Sequence, residues 1–215
     1  WHGTFITGQI AAATNNTAGV AGINWGARIL PVRVAGKCGA QVSDLLDGVR
    51  WAAGLPVAGV PVNNTPARVI NLSFGGDASC SPAYQETINA ATDAGALVVA
   101  AAGNNGGALK RPADCERVMA VVAVRKDGLK AEYSDFGPQV ALSAPGGSDE
   151  AGTATLLYSI DNPGATTPTP YSSLPDTNTH YGYKQGTSFA APQAVGVASL
   201  MLAVNGALTP SALIE

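Results

Sequence analysis

Two short runs, Leu97–Ala102 and Met119–Val124, are apolar at every position. A strand that is apolar on both faces has to be covered on both faces, which is the situation of a parallel sheet packed between helices. The intervening segments supply the helices. Ser43–Ala53 is amphipathic, with Ser43 as a candidate N-cap and Leu45, Leu46, Val49 and Trp51 as core candidates. Pro82–Ala94 reads as a second helix, with Gly95 placed to cap it. Ala27–Val34 and Val69–Ser73 read as further strands. Strands separated by helix-length segments predict an α/β fold: three layers, with a mostly parallel central sheet and helices on both faces. Leu55–Pro66 reads as a surface loop. Gly146–Tyr183 has little periodicity, and so long a segment is either functional or hides short strands. No repeat or linker divides the chain, so residues 1–215 are expected to form a single domain.

Composition narrows the function. The net charge of −3 argues against nucleic acid as a partner. The longest uninterrupted apolar runs, Ala96–Ala102 and Val118–Val124, are about seven residues. A membrane span needs about 20, so no membrane association is expected. With His2 and His180 as the only histidines, a multi-histidine metal centre is disfavoured. Low charge and many small residues suit a secreted protein.

Three motifs can carry chemistry. Gly186-Thr187-Ser188-Phe189-Ala190-Ala191-Pro192 precedes the apolar stretch Ala194–Val204. It reads as a glycine turn that sets Ser188 at the start of a long helix, with Pro192 in the first turn. Free N–H groups and the positive end of the helix dipole beside a hydroxyl suit a nucleophile whose reaction develops an oxyanion. Taken alone, the motif is equally a serine opening a buried helix. His2-Gly3-Thr4 opens a helix-like stretch to Ala13 and offers a proton acceptor. Ala101-Ala102-Gly103-Asn104 follows a buried strand, at the strand end where α/β folds place their sites, and an Asn amide there can donate to an oxyanion.

Together these motifs resemble the subtilisin-like serine proteases, the subtilases, in order and separation. Asn71-Leu72-Ser73-Phe74-Gly75-Gly76 resembles the family's substrate-pairing strand, and Ser143-Ala144-Pro145-Gly146 its SAPG turn. The resemblance runs over nearly the whole chain and looks closest to extracellular bacterial members. It implies a secreted, monomeric serine endopeptidase that cleaves polypeptide substrates through an acyl-enzyme. Ser188 would be the nucleophile, His2 the general base and acid, and Asn104 an oxyanion donor together with the Ser188 N–H. Ser73, Phe74 and Gly75 would pair with the substrate, Ala102 and Gly103 would line a side-chain pocket, and Gly39-Ala40 would form the other substrate edge. No catalytic cofactor is implied, and the precursor would carry a propeptide. Pocket loops around Gly106–Pro112 look shortened, and Lys110 is a candidate to point into the pocket.

The sequence also departs from the family. The acid of the triad precedes the histidine there, whereas only Trp1 precedes His2 here. Asp44, Asp47, Asp77, Asp93, Asp114 and Asp135 lie in no recognised acid motif. The peptidase domain is therefore expected to be incomplete at its N-terminus, and also near Glu215, where Thr209 and Pro210 open another helix. HGTFITG replaces the usual HGTHxAG, and Gln193 stands where a histidine is usual. Thr14–Val20 resembles the family's structural calcium loop, with the carbonyls of Thr14, Ala18 and Val20 and the Asn16 side chain as ligands; the other reading is a plain Asn-rich turn. The resemblance pairs Cys80 with Cys115 and leaves Cys38 to a partner upstream. The other functional class is a non-catalytic homologue or an inactive fragment, a binding or structural domain on the same fold; without the triad acid, residues 1–215 alone are expected to be nearly inert. The presence of His2, Ser188 and Asn104 favours the enzyme.

Overall fold

The computed structural model describes residues 1–150, 155–170 and 180–215. Its central sheet contains β1 (Val69–Leu72), β2 (Leu97–Ala101), β3 (Val118–Val124) and β4 (Val140–Pro145), side by side in that order and all parallel. The two apolar runs form its centre, and successive residues face opposite layers. Leu97, Val99, Ala101, Met119, Val121 and Ala123 point into one core, against α1 (His2–Ala11), α4 (Thr187–Val204) and α5 (Pro210–Ile214). Val98, Ala100, Ala102, Val118, Ala120 and Val122 point into the other, with α2 (Val42–Ala52) and α3 (Pro82–Asp93). The fold is therefore the expected three-layer α/β arrangement.

Local capping fixes several boundaries. Ser81 caps α3 by accepting from the Tyr84 N–H, and Gly95 follows its end at φ +91°. Thr209 caps α5 with Pro210 in its first turn, as the sequence predicts. The N-cap of α2 lies two residues earlier than predicted: Gln41, not Ser43, occupies it, and no side chain caps it. Leu45, Leu46 and Trp51 are half-buried, while Val49 is buried.

Ala27–Val34 is not a strand; it joins no sheet among the described residues. The segment is extended with Val32 and Val34 half-buried, but strand propensity without a neighbouring edge leaves the backbone unpaired. The segment Gly146–Tyr183 does hide a strand, β5 (Leu157–Ile160), which pairs antiparallel with β6 (Tyr181–Lys184).

Helix α4 differs from expectation in two ways. Its N-cap is Gly186 and its first residue Thr187, so Pro192 lies in the second turn, inside the helix. Its 18 residues, with mean hydropathy 1.5, are also long and apolar enough to cross a membrane, which counting uninterrupted runs missed. Here half of it is buried, packed across β1, β2, β3 and β4.

Candidate active site

Three elements end at one place. Strand β1 delivers Ser73, β2 delivers Asn104 two residues beyond Ala102, and the N-terminus of α4 delivers Ser188. This is the carboxyl edge of the parallel strands, where α/β sheets leave a crevice. A cavity of about 250 Å³ opens there, lined among others by Phe74, Gly75, Ala102, Gly103, Asn104 and Ser188. Ser73 lies behind it, 5% exposed.

The start of α4 leaves four N–H groups without helical partners. Gly186 donates to the Gly146 carbonyl at 2.9 Å and to Tyr133 Oη at 3.1 Å. Thr187 donates to Asn104 Oδ1 at 2.9 Å, and Phe189 to the Gly186 carbonyl at 3.0 Å. The Ser188 N–H makes no hydrogen bond among the described residues. A backbone N–H can only donate, so the Thr187 amide fixes which end of Asn104 faces it. Asn104 Oδ1 accepts from both the amide and the hydroxyl of Thr187, each at 2.9 Å. Nδ2 is left as the outward donor. A main-chain donor on Ser188 and an amide donor on Asn104 thus remain free, on two residues that line the same cavity.

The Ser188 hydroxyl itself donates to the Ser73 carbonyl at 3.0 Å. It makes no hydrogen bond to His2. His2 packs instead on the residue after Ser188: its imidazole lies 5.2 Å from the Phe189 ring, which packs edge-on to Phe5 at 4.7 Å, and it is not among the residues lining the cavity. Close approach of β5 holds α1 in this position. A β-carbon on Gly8 would lie 2.4 Å from Ser159 Oγ, and that hydroxyl donates to the Phe5 carbonyl at 2.9 Å. His2 is exposed by surface area, yet the surrounding protein lowers its pKa below 6.5, chiefly by desolvation and then through the charges of Lys184 and the N-terminal amine. Both neighbouring charges are cations, and no described carboxylate bonds to the ring.

Two supports of the site escaped the sequence reading. Asp135 is 1% exposed, and its Oδ1 accepts from the Asn105 and Gly107 amides at 2.9 and 2.8 Å. It ties down the loop that carries Asn104. Its partners lie about 30 residues away in sequence, so no local spacing marks it. Tyr133 donates to the Gly147 carbonyl at 2.7 Å, and burial pushes its phenol up to about 12. It therefore stays protonated beside Gly186.

Other expected features lie elsewhere. Gly39 and Ala40 are exposed and do not line the cavity. Lys110 does line it, together with Arg111, Asp77 and Asp135. Gln193 donates to the Pro145 and Phe189 carbonyls, a packing role. Residues 14–20 follow the far end of α1, about 15 Å along the helix from His2. Asn16 Oδ1 accepts from the Ala18 N–H at 3.2 Å, and the loop offers no carboxylate. A calcium cage takes six to eight oxygens, usually with acidic ligands, so residues 14–20 alone do not fit one. Cys80 and Cys115 form a disulfide, and Cys38 is free and exposed.

The profile of the peptidase S8 family, described as "Subtilase family", matches residues 1–214. The chain belongs to the subtilase family. This subtilase is 46% identical over 215 residues to the extracellular protease of Xanthomonas campestris pv. campestris, covering 99% of this chain and 34% of the relative. It is 43% identical over 219 residues to the extracellular basic protease of Dichelobacter nodosus, again covering 99% of this chain and 34% of the relative. Among solved structures, a protease from Pseudoalteromonas arctica superposes with a TM-score of 0.92 at 42% identity, covering 100% of this chain and 62% of that one. The subtilase chain thus spans about a third of the length of these two curated relatives.

Proposed function

We propose that residues 1–215 belong to a single serine endopeptidase domain of a secreted, monomeric subtilase acting on polypeptides. The observation that carries this reading is that Ser188 and Asn104 line one cavity, with the Ser188 N–H and Asn104 Nδ2 both uncommitted. A peptide substrate would add a strand beside Ser73–Gly75, with one side chain in the cavity lined by Ala102 and Gly103. Ser188 Oγ turns from the Ser73 carbonyl to His2 and gives its proton to the imidazole as the oxygen bonds to the scissile carbonyl carbon. The carbonyl oxygen becomes an oxyanion held by the Ser188 N–H and Asn104 Nδ2. His2 returns the proton to the leaving amine as the C–N bond breaks, and a water molecule, activated in the same way, hydrolyses the acyl-enzyme. A lowered His2 pKa keeps the base neutral and able to accept at pH 7. The chemical step uses no metal or cofactor. The names of the two extracellular relatives support secretion.

A second reading, a non-catalytic member, is favoured by one observation: Ser188 bonds to Ser73 rather than to His2. A fluorophosphonate probe separates the two. Covalent labelling mapped to Ser188 and lost in Ser188→Ala is expected. Absence of labelling of Ser188 in the folded full-length protein would overturn the enzyme reading.

A further inference from the structure

Inside an α-helix each N–H donates to the carbonyl four residues earlier. The carbonyl of Ser188 should therefore be met by the N–H of residue 192. Residue 192 is a buried proline and has none. A carbonyl left in this position needs another donor. Ser73 Oγ supplies it, donating to the Ser188 carbonyl at 2.7 Å. The Ser73 hydroxyl has one proton, and its direction is set from the other side: Asn71 Nδ2 donates to Ser73 Oγ at 2.9 Å, which commits the proton to Ser188. The Ser188 hydroxyl returns a bond to the Ser73 carbonyl at 3.0 Å. The end of β1 and the first turn of α4 are thus joined in both directions, across 115 residues of chain.

We infer that the Ser73 side chain is a positioning residue for Ser188: it replaces the helix hydrogen bond that Pro192 cannot make, with Asn71 orienting it. The inference rests on the proposed role of Ser188 as nucleophile. The main chain of Ser73 would meet the substrate, while its side chain acts through Ser188. Holding the Ser188 carbonyl fixes the peptide plane that follows the nucleophile. This restrains the Ser188 backbone and so the direction of its Cα–Cβ bond. The proline leaves the first turn of α4 dependent on a neighbour for rigidity, and Ser73 is that neighbour.

The proline provides the test, because Pro192→Ala restores the missing N–H. Four forms of the full chain are compared: unaltered, Ser73→Ala, Pro192→Ala, and the double variant. Two quantities are read: the rate of fluorophosphonate acylation at Ser188, and amide hydrogen exchange over residues 186–191. Ser73→Ala should slow acylation and speed exchange, each by roughly tenfold, the worth of one hydrogen bond. The double variant should recover most of both. Ser73→Thr, which keeps the hydroxyl, should be acylated faster and exchange more slowly than Ser73→Ala. Pro192→Ala should give no such recovery to Thr209→Ala, a cap mutation in α5. If Ser73→Ala does not fold, Asn71→Ala reads the same device through loss of orientation. Unchanged acylation and exchange in Ser73→Ala, or a double variant no better than the single, would overturn the inference. If the full-length protein is never acylated, the catalytic reading falls, and the exchange pattern alone still decides the positioning.

Discussion

Gly103 and Asp135 are packed so closely that a β-carbon on Gly103 would lie 2.0 Å from Asp135 Oδ2. Gly103 also holds φ +114°, a backbone conformation that side chains disfavour. Gly103→Ala should therefore cost about 2–4 kcal/mol through overpacking and backbone strain together. It should also displace Asn104, the next residue. Urea denaturation measures the first effect. A fall in Ser188 labelling beyond the loss of folded protein measures the second.

The carboxylate itself invites a paired experiment. Asp135→Ala removes the acceptor of two amides, those of Asn105 and Gly107; both residues are exposed, so water can replace part of the lost pairing, and each lost bond costs about 1 kcal/mol. Asp135→Asn keeps one acceptor oxygen of the same shape. It should lose less stability than the alanine variant and keep more labelling. Equal losses would mean that charge, rather than hydrogen bonding, secures the loop.

The Cys80–Cys115 bridge closes a loop with a sequence separation of 35. Loop-closure entropy gives such a link about 4 kcal/mol. Reduction, or Cys80→Ala with Cys115→Ala, should lower the unfolding free energy by about that amount in denaturant titrations with and without reductant. The bridge ties the loop before α3 to the loop before β3, and both approach the cavity through Gly76, Asp77, Lys110 and Arg111. Labelling of the reduced but folded chain should slow only modestly, because neither cysteine touches Ser188.

On the role proposed for His2, its titration sets the pH dependence of Ser188 labelling. Its folded-state pKa lies below 6.5, so it stays neutral, and able to accept a proton, to lower pH than an ordinary histidine. The acid limb of Ser188 labelling should fall below pH 6.5. Stability follows the same sign. As pH drops through 6.5 the unfolded chain takes up the proton first, so this contribution declines with falling pH until the folded pKa is passed. The effect is small because the ring is exposed. Lys184→Met removes the second of the three causes and should raise the His2 pKa, moving the acid limb upward. An NMR titration of His2 reads the shift directly.

Legibility from sequence followed locality. The runs at Leu97–Ala102 and Met119–Val124 announce doubly covered strands because burial on both faces leaves no polar position. The glycine turn before Ser188 and the Thr209–Pro210 helix start are equally local and were readable. Ala27–Val34 was not, because a strand is a relation to a neighbour rather than a property of a run. Pro192 falls in the second turn rather than the first because the helix begins at Thr187, whose N–H donates to Asn104 from 83 residues away. Asp135 and the side-chain role of Ser73 went unseen for the same reason: their partners are distant in the chain. The resemblance to subtilases gathered His2, Asn104 and Ser188 into one expectation, which no single motif could.

The parts of this site arrive at very different times during synthesis. Strand β1 and the loop after β2 are made long before α4, and Ser188 reaches Ser73 only after 115 more residues. A nascent or partly unfolded chain therefore holds a serine, an asparagine and a histidine, but no constellation. If the site cuts peptide bonds, it is harmless until its own fold is finished, and the same closure that arms it hides the strands it could otherwise attack.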